Sequence, residues 1–372
     1  MTESPERPEP PAPPFASHPD LVLRTLGGSV IAASDESFAA KENLVNPWPP
    51  AFSPGTFGAK GQEYDGWETA RRRPDASGEL GHDWAIVRLG LPGVIRGIVL
   101  DTAWFTGNFP PYASVEAYGA DGRHPSPAEL AAADWTEVVP LSLLKGDAVH
   151  AFPVDAARRF THVRLNIHPD GGVARLRVHG EPVPDPRLLD GLTVDLAALE
   201  NGARVVECSD MFYSAPDHML FPGTARNQSE GWETARRRGP GHDWAIVRLA
   251  APGVIRLAEF DTTHLKFNAP AAVALAGIDA RTGDPGDPGA WHELLGRTRV
   301  QPDGRHRFRL PAAREVTHVR LDVHPDGGLS RLRLLGDLSD GGTRLLTDRW
   351  NALAGGRGEG ERAPSPGGFT TR

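Results

Sequence analysis

The chain contains two copies of one sequence pattern, and this duplication limits its possible folds more than any other feature. Three blocks occur twice in the same order: GWETARRR from 66 and 231, GHDWAIVRL from 81 and 241, and THVRL with a nearby HPDGG from 161 and 317. Each copy is about 150 residues long, whereas solenoid units are roughly 20–50 residues long. The sequence therefore predicts two similar domains rather than a stack of short repeats.

Prolines and changes in composition indicate the domain boundaries. The stretch EPVPDPRLLDG at 181–191 separates the two copies, since clustered prolines interrupt regular structure. We expect the first repeat to span 19–183 and the second to span 191–350. Residues 1–18 and 355–372 are poor in apolar residues, so we expect disordered tails at both ends.

Within each copy the apolar residues alternate as they do in β-strands. Val163, Leu165 and Ile167 are apolar, and polar residues stand between them. This period of two predicts one buried face and one polar face. The PDGG sequence at 169–172 supplies a turn, and a second alternating segment follows at 174–179. The pattern predicts a hairpin with an apolar inner side and a basic outer side.

The composition supports an all-β fold. The 372 residues include 42 glycines and 35 prolines, well above the usual combined share of roughly 12%, and this excess favours turns and short strands. Helical spacing is confined to a short segment near Pro125. We therefore predict two jelly-roll β-sandwich domains in tandem, one for each copy.

Charge and hydropathy exclude several classes of function. Asp and Glu number 48 against 40 Lys and Arg, a net charge of −8, so a basic nucleic-acid-binding surface is not expected. No apolar run approaches the ~20 residues of a membrane span, and the N-terminus lacks the apolar core of a signal peptide. Cys208 is the only cysteine, which excludes an internal disulfide. We expect a cytoplasmic protein that binds neither nucleic acid nor membrane.

Several long stretches resemble the allantoicase family. They are SDESFAAKENLVNP from Ser34, DGWETARRR from Asp65, GHDWAIVRLGLPGVIRG from Gly81, DTAWFTGNFPP from Asp101 and RLNIHPDGG from Arg164. The resemblance covers about residues 20–350, nearly all of the chain outside the tails. It implies hydrolysis of allantoate to ureidoglycolate and urea in purine breakdown. It also implies tandem jelly-roll domains similar to galactose-binding and discoidin modules, and a homo-oligomer.

The substrate that this resemblance implies sets three chemical requirements. Allantoate has one carboxylate and two ureido arms on a single carbon. A cation must hold the carboxylate, and Arg does so with bidentate geometry. An acid must protonate the departing nitrogen, and a base must activate water. Amide side chains suit the ureido arm that remains.

The GWETARRR block contains one candidate acid and two candidate carboxylate-binding residues. We predict that Glu68 transfers protons and that Arg71 or Arg73 binds the carboxylate. The alternative is structural, because the second copy repeats the block. In that interpretation Glu68 pairs with an arginine to hold a loop above Trp67.

Three further catalytic candidates carry imidazole or carboxylate groups. His82 and Asp83 are adjacent, and a carboxylate can orient an imidazole for acid–base work. His168 stands just before the PDGG turn. All three recur in the second copy, so structural alternatives remain: Asp83 caps a turn, Trp84 anchors the core, and His168 faces solvent.

Lys41, Glu42 and Asn43 occur only in the first copy, whereas the second copy has PDH at 216–218. A feature present in one copy is not required by the shared fold. We predict that Lys41 binds the carboxylate, Glu42 transfers protons and Asn43 binds a ureido group. This asymmetry favours the first copy as the catalytic one; the alternative is an exposed charged loop.

The loop after Asp101 provides two more substrate-binding candidates, Thr106 and Asn108. Loops at strand ends are frequent ligand-binding sites. The neighbouring aromatic residues leave a protein interface open as the alternative.

No metal-ligand motif, phosphate-binding loop or serine nucleophile elbow occurs in the sequence. We therefore predict no cofactor and assign no metal ligand, while a divalent metal held by residues from separate loops stays open. The alternative to an enzyme is a non-catalytic tandem module that binds sugars or small polar anions, because fold does not fix function.

Overall fold

The computed structural model describes residues 12–120, 124–311 and 314–354. The predicted tail at 355–372 and residues 1–11 of the predicted N-terminal tail lie outside these ranges. Strands dominate the described chain and form one large sheet system in each repeat. The predicted all-β fold with two tandem domains is confirmed.

Within the described ranges, the two repeats share nine strands in the same order. In the first repeat they are β1 (Ser29–Ala33), β2 (Phe57–Gly58), β3 (Gly61–Gln62), β4 (Trp67–Glu68), β5 (Asp83–Asp101), β6 (Tyr112–Tyr118), β7 (Thr136–Leu143), β8 (Val149–Pro153), β9 (Phe160–His168), β10 (Gly172–Val173) and β11 (Arg175–Pro182). In the second they are β12 (Thr193–Asp195), β13 (Arg204–Cys208), β14 (Trp232–Glu233), β15 (Asp243–Asp261), β16 (Ala272–Ile278), β17 (His292–Arg299), β18 (Arg305–Arg309), β19 (Val316–His324), β20 (Gly328–Leu329) and β21 (Arg331–Leu338). Among these described strands, β2 and β3 occur only in the first repeat and β12 only in the second.

The helices are short and lie outside the sheets. The α-helices are α1 (Pro127–Ala131), which confirms the segment predicted near Pro125, and α2 (Asp340–Ala352). The 3-10 helices are Pro14–Ser17, Arg24–Leu26, Lys41–Val45, Pro186–Leu188, Leu199–Asn201, Pro216–Leu220, Gln228–Glu230 and Pro288–Ala290. Among the described residues, no helix has the length and apolar character that crossing a membrane requires.

Each repeat is organised around one long strand. The first half of β5 pairs with β1 and β9, whereas its second half pairs with β11 and β8. The register shifts between Arg88 and Gly93, where the change of partners occurs. β15 repeats this arrangement with β13 and β19, then with β21 and β18. One strand thus joins both layers of a sandwich, and its end carries the loop that follows Asp101.

The core lies between the layers and has the alternation that the sequence predicts. Val163, Leu165 and Ile167 of β9 are fully buried, as are their counterparts in β19. The polar face is less exposed than predicted, because His162 and Asn166 are also buried. Each large apolar side chain removed from water contributes roughly 1.5–3 kcal/mol to stability.

The predicted hairpin between β9 and β11 is wrong. β9 pairs with β5 and β6, and β11 pairs with the other half of β5. Between them the chain forms β10, which pairs with β4. The glycine turn at 169–172 therefore carries the chain from one layer to the other, and it brings Asp170 to the edge of the sandwich.

The basic outer side predicted for β11 is covered by another segment. Arg175 is buried, and its guanidinium donates to the Trp48 carbonyl at 3.1 Å and to the Asp65 carboxylate at 2.6 Å. A buried charge requires a partner of opposite sign, and Asp65 provides it. Arg175 therefore fixes the long segment that precedes β4.

The N-terminal end of the first repeat is more structured than predicted. Residues 12–18 fall within the predicted disordered tail, yet Pro14–Ser17 is a 3-10 helix. Phe15 is buried, and its ring lies 5.9 Å from that of His179 in β11. The buried Phe15 ring and the hydrogen bond from His179 to the His18 carbonyl at 2.8 Å therefore order a segment whose composition predicts disorder.

The C-terminal helix α2 joins the two repeats. Leu346 packs on Ala251 of the second repeat, whereas Trp350 packs on Val94 and Val183 of the first. The guanidinium of Arg159 in the first repeat lies 3.5 Å from the Trp350 ring centroid, a cation–π contact. The helix was not predicted, because Gly341 and Gly342 in its first turn disfavour helix.

Removing the Trp350 side chain should destabilise the junction. We expect Trp350→Ala to lower the free energy of unfolding by about 3 kcal/mol, since Trp truncations in cores cost about 3–5 kcal/mol. Leu345→Ala, at a half-exposed position of the same helix, should change it by less than about 0.5 kcal/mol. Urea unfolding monitored by circular dichroism measures both, and equal losses would contradict the bridging role.

Candidate functional site

A cleft of about 550 Å³ opens at the edge of the first repeat, where four loops converge. Its walls are formed by the segments around Phe38, around β4, after β5 and after β9. The residues with polar or charged side chains on these walls are Glu68, Thr69, Arg71, Arg72, Asn108 and Asp170. The volume is in the range of roughly 300–1,000 Å³ that is typical of small-molecule sites.

Trp67 anchors the central wall of this cleft. Its side chain is fully buried, and its indole N–H donates to the Asp35 carbonyl at 2.7 Å. The Asp35 carboxylate accepts the Ala70 amide at 2.7 Å. Because Trp67 fills the core, the adjacent Glu68 is directed to the edge of the sandwich, as expected for neighbours in a strand.

The PDGG turn forms the opposite wall and contacts the same segment. Gly171 donates its amide to the Thr69 hydroxyl at 3.1 Å, and Asp170 accepts the Arg72 amide at 2.7 Å. Gly171 has a φ of 140°, and a Cβ there would lie 2.8 Å from the Asn108 carbonyl oxygen. Glycine is therefore required for the turn to approach the Asn108 loop.

Glu68 is the carboxyl group whose properties best suit proton transfer. The Asn108 side-chain amide donates to one Glu68 oxygen at 2.6 Å. Burial raises the pKa of Glu68, and the hydrogen bond from Asn108 only partly opposes this shift. A carboxyl with a raised pKa holds its proton closer to neutral pH, which general acid catalysis requires.

The corresponding carboxyl in the second repeat is sequestered. Glu233 is 8% exposed, accepts from Asn268 with one oxygen and accepts from the Gln228 amide with the other at 2.7 Å. Both oxygens are thus occupied by the protein. The repeats therefore share the Glu–Asn pair, but the first leaves its carboxyl more accessible.

The three arginines of the block have different environments. Arg72 is committed to the scaffold, because its guanidinium donates to the Leu80 carbonyl and to Asp83, both at 2.6 Å. Arg71 is exposed and lines the cleft, and within the described part of the chain no carboxylate pairs with it. Arg73 is exposed outside the cleft lining. Arg71 is therefore the cation available to a ligand.

His82 and Asp83 do not form the expected pair. Asp83 is buried and accepts from Arg72 at 2.6 Å and from the Ser34 hydroxyl at 2.9 Å. His82 instead lies against His168, with ring centroids 4.6 Å apart. Burial and the neighbouring His82 lower the pKa of His168. Neither histidine is on the cleft wall, although His168 is only two residues from Asp170.

Lys41, Glu42 and Asn43 also lie outside the cleft lining. Lys41 is paired with Glu42 at 2.8 Å and with Glu36 at 3.1 Å. Burial opposes ionisation of Glu42, but Lys41, a backbone hydrogen bond and Arg24 together outweigh it and lower the pKa of this carboxyl. Asn43 donates to the Gly66 carbonyl at 3.0 Å. The asymmetric triplet thus supports the segment below Trp67.

The loop after β5 contributes one of its two predicted residues. Asn108 lines the cleft, whereas Thr106 is exposed outside the lining. Gly107 stands between them on the cleft wall, and a Cβ at this position would meet open space. Phe267 occupies the corresponding position in the second repeat and is 93% exposed.

Three polar cleft residues were missed by the sequence-based predictions: Thr69, Arg72 and Asp170. The PDGG sequence was interpreted only as a turn, Thr69 was passed over beside Glu68, and only the first and third arginines of the block were selected. The available signal was the position of Asp170 directly after a strand, the same rule that selected Asn108. Among the described residues, no group of three or more His, Cys, Asp or Glu side chains is arranged to hold a metal ion.

Comparison with known proteins identifies the family. The family model described as "Allantoicase repeat" matches residues 19–183 and again 194–339. The chain is 55% identical over 325 residues to a probable allantoicase of Nocardia farcinica, an alignment that covers 87% of this chain and 95% of the relative. The chain belongs to the allantoicase family. Allantoicases are hydrolases that act on C–N bonds of linear amidines.

Two further allantoicases extend this result. A probable allantoicase of Streptomyces coelicolor is 49% identical over 350 residues, 92% of this chain and 91% of the relative. The crystal structure of allantoicase from Saccharomyces cerevisiae matches with a TM-score of 0.70 at 35% identity, covering 86% of this chain and 93% of the other. The allantoicase resemblance stated from sequence is therefore confirmed over both repeats.

The raised pKa of Glu68 predicts a specific pH dependence of stability. Burial favours the neutral carboxyl, so this stabilisation is present below the ordinary pKa of glutamate and is lost as pH rises through the raised value. Glu68→Gln keeps the neutral form at every pH. We expect its melting temperature, relative to the parent, to increase between pH 4 and pH 8.

Glu181→Gln provides a control of opposite sign. Burial opposes ionisation of Glu181, but Arg96 and Arg349 outweigh it and lower the pKa. This substitution should therefore lose relative stability over the same pH interval. Differential scanning fluorimetry measures both variants, and parallel profiles would contradict the assignment for Glu68.

Proposed function

We propose that this chain hydrolyses allantoate to ureidoglycolate and urea in the cleft of the first repeat. The observation that supports this location is the half-buried Glu68, held by Asn108 in a cleft that also contains Arg71 and Asp170. Family membership supports the reaction. The sequestered Glu233 argues against the equivalent site in the second repeat.

Substrate binding requires recognition of one carboxylate and two ureido arms. In this proposal the Arg71 guanidinium binds the carboxylate, since a planar fork of donors matches two carboxylate oxygens. The Asn108 amide has one N–H on Glu68, and its carbonyl oxygen accepts from a ureido N–H. Phe38 and Phe109 on the cleft walls restrict water around the reacting carbon.

The reaction replaces one C–N bond with a C–O bond. Neutral Glu68 donates its proton to the departing ureido nitrogen, and the electron pair of the C–N bond goes to that nitrogen, which leaves as urea. Water adds to the carbon and gives its proton to a base. Asp170 is our candidate for this base, because Arg72 occupies one of its oxygens and the other remains for water. A final proton transfer restores both carboxyl groups.

The other residues predicted from sequence have indirect roles in this proposal. Asp83 holds the Arg72 guanidinium. Lys41 pairs with Glu36 and Glu42. Asn43 holds the segment before β4 through the Gly66 carbonyl. His82 and His168 lie behind the PDGG turn and influence the position of Asp170. A homo-oligomer and a cytoplasmic location remain expectations of the family resemblance and the sequence, and no cofactor is assigned, with a divalent metal left open.

Removing the acid should abolish most of the turnover. We expect Glu68→Gln to lower kcat for urea release from allantoate by roughly 10²–10⁴-fold, the usual contribution of a general acid. Glu233→Gln, the matched change in the second repeat, should leave kcat near the parent value. Loss of activity from Glu233→Gln alone would place the site in the other repeat. An inactive parent protein, assayed with and without divalent metals, would refute the proposed function.

Removing the predicted carboxylate-binding residue should weaken substrate binding. We expect Arg71→Met to lower kcat/KM by roughly 10–100-fold, because a hydrogen bond to a charged group contributes about 1.5–3 kcal/mol. Arg236→Met in the second repeat is the matched control and should have little effect. Steady-state kinetics with allantoate provide the measurement, and an unchanged kcat/KM in Arg71→Met would exclude Arg71 as the residue that binds the carboxylate.

A further inference from the structure

A second cavity lies on the outer face of the first sheet, away from the cleft. It measures about 450 Å³ and is enclosed between the strands β1, β5 and β9 and the short helix α1. We call it the outer-sheet pocket. The lining residues on which the argument below depends are Ile31, Trp84, Ile86, Arg88, His162 and Leu130. None of them belongs to the cleft that contains Glu68.

The strand register explains why these side chains share one face. Trp84, Ile86 and Arg88 alternate with core residues along β5, so all three point away from the core. Arg88 is directly opposite His162 of β9, and Ile86 is opposite both Ala32 of β1 and Arg164 of β9. The floor of the pocket is therefore apolar at one end and cationic at the other.

Helix α1 closes the pocket from above. Ser126 caps the helix by accepting the Glu129 amide, and Glu129 accepts the Ser126 amide in return, a capping box that fixes its start. Leu130, on the face toward the sheet, is buried and lines the pocket with Ala131. The roof is thus apolar and held in place, as in a preformed ligand site.

Arg88 is the unneutralised cation of this pocket. Arg164 also lines it, but Glu116 accepts from Arg164 at 2.7 Å and cancels its charge. Arg88 donates to the Gly27 carbonyl at 3.1 Å, and within the described residues no carboxylate pairs with it. Its Nε is buried and has no hydrogen-bond partner there. A buried donor of this kind is normally satisfied in the folded protein.

His162 adds a polar group without adding charge. It is buried beside Arg88, and burial first, with Arg88 and His124, lowers its pKa to about 4. The imidazole is therefore neutral near pH 7. Among the described residues that line it, the pocket thus presents a mainly apolar floor and roof, with His124 at its edge, and one guanidinium, that of Arg88, without a carboxylate partner.

We propose that the outer-sheet pocket binds a small planar monoanion with an apolar body, of the aromatic carboxylate class, whose carboxylate pairs with Arg88 and whose ring lies against Trp84 and Ile86. Allantoate does not match this site, because it has no apolar surface. The pocket is therefore a second ligand site and not another copy of the catalytic cleft. The proposal does not depend on the proposed function.

The second repeat supplies a matched comparison. Arg248 and His318 are the counterparts of Arg88 and His162 there, and the GHDWAIVRL block is identical, but Glu207 of β13 stands opposite Ile246 where Ala32 stands opposite Ile86. Arg248 and His318 line a smaller cavity of about 370 Å³ together with Leu345 and Arg349 of helix α2. Trp244 and Ile246, the counterparts of Trp84 and Ile86, are not part of its lining, so that cavity lacks the apolar floor on which the ring would lie. We expect it to bind the same anion much more weakly.

The test uses 1-naphthoate and the full-length protein. Isothermal titration calorimetry with 1-naphthoate should show one site, and the neutral analogue 1-naphthamide should bind at least about tenfold more weakly. Arg88→Met should reduce affinity for 1-naphthoate by about tenfold or more and leave affinity for 1-naphthamide unchanged. Arg248→Met should bind like the parent, and both variants should retain the parent turnover of allantoate.

A spectroscopic readout locates the ligand independently of any substitution. An anion beside Arg88 should raise the pKa of His162, which NMR titration of the imidazole follows, and should quench Trp84 fluorescence in the parent but not in Trp84→Phe. Equal affinity for the acid and the amide would overturn the proposal. An unchanged pKa of His162 on addition of 1-naphthoate would overturn it too, as would a loss of affinity seen only in Arg248→Met. Absence of binding because a second copy of the chain covers the pocket would also overturn it.

Discussion

The long strand at the centre of each repeat is the constraint on which the rest of the structure depends. β5 and β15 pair with one set of strands in their first half and with another set in their second half. Both layers of each sandwich are therefore aligned by one continuous backbone. Because the cleft loops begin or end at β5 or at one of its partners, β1 and β9, the positions of those loops are fixed relative to one another.

Because the framework is duplicated, contacts that both repeats share can be distinguished from contacts that only one repeat makes. Both repeats have a buried tryptophan that donates to an aspartate carbonyl, and both have an arginine bound to the aspartate that opens the long strand. These shared contacts are structural. The repeats differ in the environment of one glutamate, which two amides occupy in the second copy and one in the first. The difference between the two glutamate environments at the edge of the sandwich therefore leaves the shared framework unchanged.

Residue type and strand periodicity were sufficient for the fold class and for part of the site. Glu68 and Arg71 were predicted from a block that recurs and Asn108 from a loop at a strand end, and the structure brings them together in one cleft. The pairing of β9 with β11 could not be predicted, because two alternating segments joined by a tight turn can pair with each other or with a third strand. The sequence pattern contains no information that distinguishes these outcomes.

Helix α2 also determines when the first repeat can finish folding during synthesis. Trp350 covers Val94 and Val183, which belong to the first repeat, yet it is among the last described residues of the chain. Domains generally fold in order as they leave the ribosome. The first repeat must therefore wait, with part of its apolar surface uncovered, until helix α2 has left the ribosome. A chain that terminates before helix α2 would lack Trp350. Such a truncated product would expose the apolar surface around Val94 and Val183.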